Sequence, residues 1–339
     1  MPHGSALRVS GTVLLACALL IGVMCTAVCY GEMVLSWRDV WATLWQRCGY
    51  PMNVNPVYAG IIWEYRLSRT LMAACAGAAL AVSGVLLQAV LRNVLAEPYV
   101  LGMSAGASSG AVAILVLGCG DASFGLTFGA FSGAICSFVL VSVLASKGGF
   151  QAQRTLLAGI ATAQTFNALT AYVVTSTASA EQVRGITFWL LDDLSSVRMS
   201  DVPLVVVITF FCLIGSLMLA RRLDAFLLGE NAVRALGIAV QQVRYGVLTL
   251  TALMTATVVS HVGAIGFVGM VVPHVACYWT GGRHRVLLPV AAWLDALFLM
   301  LADVLSRSLA LSQALPVGVM TALVGAPLFA TLVHRMERT

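Results

Sequence analysis

The stretch Arg66-Leu67-Ser68-Arg69-Thr70 opens an apolar, glycine-rich run that closes at Leu91-Arg92-Asn93-Val94-Leu95-Ala96-Glu97-Pro98. Between Thr70 and Leu91 no residue is charged. A run of ~20 apolar residues is what an α-helix needs to cross a hydrocarbon layer ~30 Å thick. Lipid offers the backbone no hydrogen-bond partner, so a segment of this kind satisfies its amides internally, as a helix. Two arginines three residues apart stand at one mouth of that helix. A short polar turn ending in proline stands at the other.

The rest of the chain repeats the pattern. Its 339 residues are 60% hydrophobic and 10% charged, against ~25% charged in an ordinary soluble domain. Segments of membrane length are Val9–Tyr30, Thr70–Leu91, Val100–Leu117, Ser123–Ala145, Thr155–Thr175, Val202–Ala220, Tyr245–Val262, Val286–Leu305 and Pro316–Val333, and a shorter one covers Phe267–Trp279. The expected fold is therefore all-α and polytopic, with about ten transmembrane helices. No long polar linker divides them, so residues 1–339 are expected to form one membrane domain, with 221–244 as its longest inner loop. The apolar run of Val9–Tyr30 exceeds the ~7–15 residue core of a signal peptide, and it is expected to be the first membrane helix. An even number of spans puts both termini on one side. With the termini inside, twelve of the 19 basic residues fall in inner loops, as the positive-inside tendency requires. Arg66, Arg69 and Arg307 then lie outside, against that tendency.

Small residues set how such helices pack, because lipid supplies no hydrophobic push between them. Gly102, Gly106 and Gly110 recur every fourth residue, as do Gly125, Gly129 and Gly133. Each triplet gives a helix a flat face, expected to meet a neighbour in the same chain rather than a dimer seam. Gly263, Gly266 and Gly269 run into Pro273, a composition poor for a regular helix. A turn followed by a short helix, buried near the pathway, is expected there.

Of the nine cysteines, most lie in apolar spans and none has zinc-site spacing with histidine. Cys48 and Cys119 both fall near the outer face, where a disulfide could form. Lys147 is the only lysine and stands in Ser146-Lys147-Gly148-Gly149, so the chain carries no phosphate-binding P-loop. No Ser/His/Asp grouping stands out and no metal ligands cluster. The chain is expected to have no catalytic residues, no metal site and no covalently bound cofactor. Any ATP that drives it must be hydrolysed by another polypeptide.

Three constellations remain. The inner loop contains Leu228-Gly229-Glu230-Asn231-Ala232-Val233-Arg234-Ala235-Leu236-Gly237. Glu230 suits the first turn of a short helix, and Gly237 suits the position just beyond its end. Ala232, Val233, Leu236 and Phe226 would form a small apolar face, either for a partner or for lipid. At the outer end, Arg66 and Arg69 can share a helix face, and Asp303 precedes Arg307 by four residues, which favours a local ion pair. The arginines are either interfacial anchors or a docking surface. Within the spans, Asp295 is the one acid that sequence places deep in the membrane. It is either a packed, partnered or protonated side chain, or the proton site of an ion-coupled secondary transporter. A membrane enzyme, or a structural subunit of a larger complex, is a further alternative.

These motifs, with Gly263-Ala264-Ile265-Gly266-Phe267-Val268-Gly269-Met270-Val271-Val272-Pro273-His274 and Leu315-Pro316-Val317-Gly318-Val319-Met320-Thr321-Ala322-Leu323-Val324-Gly325-Ala326-Pro327, resemble the permeases of ABC importers for iron chelates, haem and vitamin B12 (FecCD-type, type II). The resemblance runs from Arg66 to Leu332. It implies a homodimer with ten helices per subunit in the cell's inner membrane, two cytoplasmic ATP-binding subunits, and a periplasmic or lipid-anchored substrate-binding protein. It implies import of a siderophore, haem, cobalamin or a similar complex, and no role for nucleic acid. Residue by residue, it implies that Gly229, Glu230, Ala232, Arg234, Leu236 and Gly237 couple to the ATPase. Arg66, Arg69 and Arg307 would receive acidic residues of the binding protein, and Asn93, Leu95 and Gln151 would close the inner mouth. Ser68 and Val94 stand where the family usually has proline, and Asp192-Asp193 where a glycine is common. Asp295 likewise departs from the small residue expected.

Overall fold

A computed structural model describes residues 3–31, 33–117, 122–146, 152–177, 179, 194–309 and 315–336. Gln151, Cys119 and Asp192-Asp193 lie outside them. Within them there are twelve α-helices and no strand. These are α1 (His3–Cys29), α2 (Trp37–Arg47), α3 (Pro56–Leu91), α4 (Met103–Leu117), α5 (Ala122–Ser146), α6 (Ala152–Thr177), α7 (Val202–Phe226), α8 (Glu230–Ala235), α9 (Val240–Val262), α10 (Val268–Thr280), α11 (His284–Ser308) and α12 (Val317–Met336). Ten of them overlap the ten apolar segments. The remaining two, α2 and α8, are short and flank the bundle at its two ends. Five helices (α3, part of α5, α7, α9 and α11) are long and apolar enough to cross a membrane.

The centre of the bundle is α3. From Arg66 to Arg92 it rises about 39 Å at ~1.5 Å per residue, more than a hydrocarbon core. After a first α-helical turn, Pro56–Gly60, residues Ile61–Leu67 are wound as a π-helix. Nearly all of its apolar residues from Met72 to Leu91 are buried, against α7, α9, α10 and α11. Small residues make that possible. A Cβ at Gly84 would stand 1.8 Å from the carbonyl oxygen of Gly269 on α10. Backbones touch there, and no side chain fits between them.

The glycine triplets serve the same end in a second cluster, where α4 crosses α5. Gly110 faces Gly129 and Gly106 faces Gly133, with a Cβ at Gly110 placed 2.0 Å from the Gly129 carbonyl oxygen. The seam is thus within the chain. Gly110→Val should push the two helices apart and cost about 1–3 kcal/mol, the usual penalty of overpacking. Thermal unfolding of the detergent-solubilised variant measures it, and an unchanged midpoint would show that the seam can relax.

Large side chains line the outside of the bundle: Leu14 and Leu15 on α1 are 70% exposed and Met218 on α7 is 78% exposed. Such a surface suits lipid rather than water. Where α9 ends at Val262, the chain runs through non-helical residues to Phe267, which has φ +68°. Only then does α10 begin, and its 13 residues rise only about 20 Å. The broken segment is tolerated because protein covers it. Ile265 is 5% exposed, and Gly269 rests on Leu80 of α3 and on Pro98.

Candidate functional sites at the two ends of the bundle

At one end, α7 closes at Phe226 and the chain turns sharply at Gly229, whose φ of +99° favours glycine. The six residues of α8 follow, and Gly237, at φ +72°, ends them with the left-handed residue common beyond a helix. Glu230 in the first turn accepts hydrogen bonds from Arg234 at 2.8 Å and from Arg244, on α9, at 2.9 Å. The hydrogen bond from Arg234, with the charge of Arg244, holds its carboxyl below the usual glutamate range. Arg244 is only 6% exposed, so α8 is clasped to a rigid part of the bundle. Two further contacts fix the same loop. Asp224 accepts from the backbone N–H of His284 at 2.8 Å, and the His284 Nδ1 lies 2.7 Å from the same oxygen. The Arg92 guanidinium lies beside Gly229. The loop is therefore tied to α9 and α11, with the residue that follows α3 beside it.

The expected apolar face of this loop needs correction. Val233 and Phe226 point inward, at 0% and 1% exposure, and belong to the core. Helical geometry turns them beneath the loop, and the outward apolar patch is instead Leu227, Leu228 and Leu236. Ala232 is half-buried, and Arg234 is exposed.

At the opposite end, Arg66, Arg69 and Arg307 come together, but not as an exposed rim. Each is 7% exposed. The Arg66 guanidinium donates to the carbonyls of Val28 and Cys29, at 3.2 and 3.0 Å, and to that of Met33. Arg307 donates to the carbonyls of Ala27 and Tyr30, at 3.1 and 3.3 Å. The last carbonyls of a helix have no partner within it, and two arginines supply one to α1. Asp303, fully buried, is held between Arg69 Nε at 2.5 Å and Arg307 Nη2 at 2.9 Å. The local Asp303–Arg307 pair is present, and Arg69 joins it from another helix. The arginines are drawn in because only a many-donor fork can serve the helix-end carbonyls and a buried carboxylate together. What they leave open is a cavity of about 340 Å³, bordered by all three arginines with Gly31, Met33, Ile61, Tyr65 and Ser195.

The pathway candidates begin where α3 ends, on the side of Gly229. Asn93 makes an Asx turn, its Oδ1 accepting from the Leu95 N–H at 2.9 Å. Leu95, at the tip, is 49% exposed. The chain then folds back, and Glu97 is only 8% exposed. It lines a small cavity with Leu80, Thr255 and Ile265. Asp295 is therefore not the only acid inside. Asp303 is buried in the same helix and Glu97 in the returning turn. Asp295 itself is fully buried, and neither of its oxygens has a hydrogen-bond partner among the described residues. Cys48 is exposed and free among the described residues.

Sequence reasoning overlooked Glu97, Arg244 and the Asp224–His284 contact. An acid beside a proline in an apolar run was a usable signal for the first. Nothing in spacing marks the other two, because their partners are 14 and 60 residues away.

With this geometry in hand, similarity to known proteins is informative. The model of the FecCD transport family matches residues 19–335. The Fe(3+) dicitrate transport system permease protein FecD of Escherichia coli (strain K12) is 39% identical over 277 residues, covering 82% of this chain and 86% of that protein. The cobalamin import system permease protein BtuC of Halobacterium salinarum is 38% identical over 285 residues, covering 82% and 74%. Among solved structures, a metal-chelate type ABC transporter in an inward-facing conformation superposes with a TM-score of 0.84 at 28% identity, over 96% of this chain and 99% of that one.

Proposed function

The chain belongs to the FecCD transport family, and from that membership we propose that it is the membrane permease of an ATP-driven type II importer. The cargo is an iron chelate (siderophore or haem) or a similar metal complex, cobalamin included, carried into the cytoplasm. Residues 1–339 act as one permease unit, two copies of which enclose the pathway. Both termini and the 221–244 loop face the cytoplasm, where α8 meets one of two separate ATP-binding subunits. The permease makes and breaks no covalent bond.

The observation that carries this reading is α8 itself. A short helix with exposed leucines and Arg234 at its surface, clasped to α9 through Arg244, is built to pass a push from a partner into the bundle. Gly229 and Gly237 shape its two ends. Across the membrane, the arginine-lined cavity is a fitting receptor for acidic side chains of a substrate-binding protein. Asn93 and Leu95, with Gln151, form the inner gate. Reconstitution with the partner ATPase and binding protein tests the whole. Uptake of ferric siderophore, haem or cobalamin should require ATP and should follow the ligand that the binding protein holds. Uptake by the permease alone under an ion gradient would overturn it.

The rival, ion-coupled reading has one observation in its favour, the unpartnered Asp295. A buried carboxylate without hydrogen bonds is very costly, and that cost is what makes Asp295 the candidate for the rival. Asp295→Asn keeps the shape and removes the proton site. ATP-driven uptake in that variant should stay within about threefold of wild type, a change of under ~1 kcal/mol at ~1.4 kcal/mol per factor of ten. A far larger loss with assembly intact would favour ion coupling.

A further inference from the structure

Nothing above uses α2. This helix lies at the arginine end, capped by Ser36, whose hydroxyl accepts from the Arg38 N–H. Its inward side, Val40, Thr43 and Leu44, packs with Val28 and Leu35 and with Ile62 at the start of α3. At 100° per residue, Arg38 and Ala42 face away from that side, and Asp39 and Gln46 lie along one flank. Along the other flank, reaching the far side at Trp45, runs a stripe of indoles four residues apart. Trp37 stacks on Trp41 at 6.4 Å, Trp41 meets Trp45 edge-on at 5.7 Å, and Trp45 meets Tyr50 at 4.8 Å. Trp37 and Trp41 remain about half exposed, at 51% and 50%. An Arg47 guanidinium sits 5.0 Å over the Trp63 ring at the adjoining edge.

We infer that α2 lies flat in the headgroup boundary of the leaflet at the arginine end, with the Trp37–Trp41–Trp45 stripe seated among lipid. Three features select lipid as the occupant. Indole is apolar in body and donates one hydrogen bond at its edge, which is why tryptophan collects at membrane boundaries. The stripe continues the lipid-facing surface, since α2 follows α1 by only seven residues and packs on the outer ends of both α1 and α3. The basic residues Arg38 and Arg47 suit lipid phosphates. The seating also has a structural consequence. The loop between α1 and α2 supplies the Met33 carbonyl that Arg66 grips, and Gly31 and Met33 wall the arginine cavity. An anchored α2 therefore holds one wall of that cavity at a fixed height over the membrane. The inference rests on the membrane placement of α1 and α3 and not on the cargo or the ATPase, so failure of the uptake experiment leaves it standing.

The test compares full-length wild type with Trp37→Phe/Trp41→Phe, both exposed positions, in phosphatidylcholine vesicles. The emission that the double substitution removes is the emission of these two indoles. Phosphatidylcholine brominated near the headgroup end of its acyl chains should quench that emission, because an interfacial indole sits beside those positions. Aqueous iodide should quench it less. Iodide quenching equal to or above that by bromolipid would put the stripe in water. Quenching by neither would put it under protein, in an interface with a second copy or a partner. Either result overturns the inference. A circular-dichroism spectrum unchanged by the substitution confirms that the comparison is of folded proteins. If it changes, the wild type labelled with 5-fluorotryptophan, its resonances assigned by single Trp→Phe changes, is read instead for broadening by spin-labelled lipid against a water-soluble paramagnetic ion, with the same outcomes.

Discussion

Replacing Glu230–Gly237 with a flexible linker should lower ATP-driven uptake by roughly two orders of magnitude, equivalent to ~3 kcal/mol of lost coupling, while the permease still inserts and binds its ATPase-independent partners. The clasp explains why the effect is large. On the proposed reading a partner's motion would reach the bundle through α8 and α9, which Glu230 joins through Arg244. Point changes should separate this mechanical role from simple contact. Glu230→Arg sets two cations beside the buried Arg244. The Glu230 side chain is 37% exposed, so solvent screens the pair and losing it costs about 1 kcal/mol. ATP hydrolysed per molecule imported should therefore rise about fivefold in Glu230→Arg and in Arg244→Glu. The double reversal should recover most of the ratio. Recovery is the decisive readout, because a residue that merely touches the ATPase gains nothing from a compensating change on α9. The same pair gives a pH dependence. The folded carboxyl of Glu230 titrates below its unfolded value, so the clasp is intact above the ordinary glutamate range near pH ~4.3 and is lost as pH falls through the lower folded value. Coupling near neutral pH should be flat with respect to this group, and a loss between pH 6 and 8 would point elsewhere.

Asp303→Ala should be the most destabilising single substitution at the other end. It leaves Arg69 and Arg307 buried beside each other without their shared carboxylate. Breaking a buried pair of this kind typically costs ~3–5 kcal/mol, a large share of the ~5–15 kcal/mol that holds a domain together. Thermal unfolding in lipid nanodiscs should show a fall of many degrees, and a shift within error would mean that water or other donors take over the charge. This result recasts how docking must be tested. Changing Arg66, Arg69 and Arg307 to Glu together would set acids against Asp303 and against the α1 carbonyls, so folding would fail before docking could be read. The measurable signature of docking is its salt dependence in the unaltered protein, since charge complementarity chiefly speeds encounter and is screened by ions. Association of the binding protein should slow steeply as salt rises, with basal ATPase activity unchanged.

The topology was legible because lipid is a stern solvent. Any run of ~20 apolar residues must be helical there, and glycines at spacing four announce a face without identifying its partner. That the 102–110 face meets the 125–133 face was decided by how α4 and α5 cross. The short helix α8 was legible too, from Gly229, Glu230 and Gly237, since capping is local chemistry. Its inward and outward sides were not, and Val233 and Phe226 turned out to belong to the core. The arginines show the same division. Their place outside the positive-inside pattern marked them as needing a cause. Two causes emerged only in three dimensions, a helix end 37 to 38 residues back for Arg66 and an aspartate 234 residues on for Arg69. Sequence by itself determined what each segment must be, because backbone hydrogen bonding, burial in lipid and capping act over a few residues. Tertiary structure alone decided which buried charges meet, because that depends on which helix ends the fold brings to one point in space.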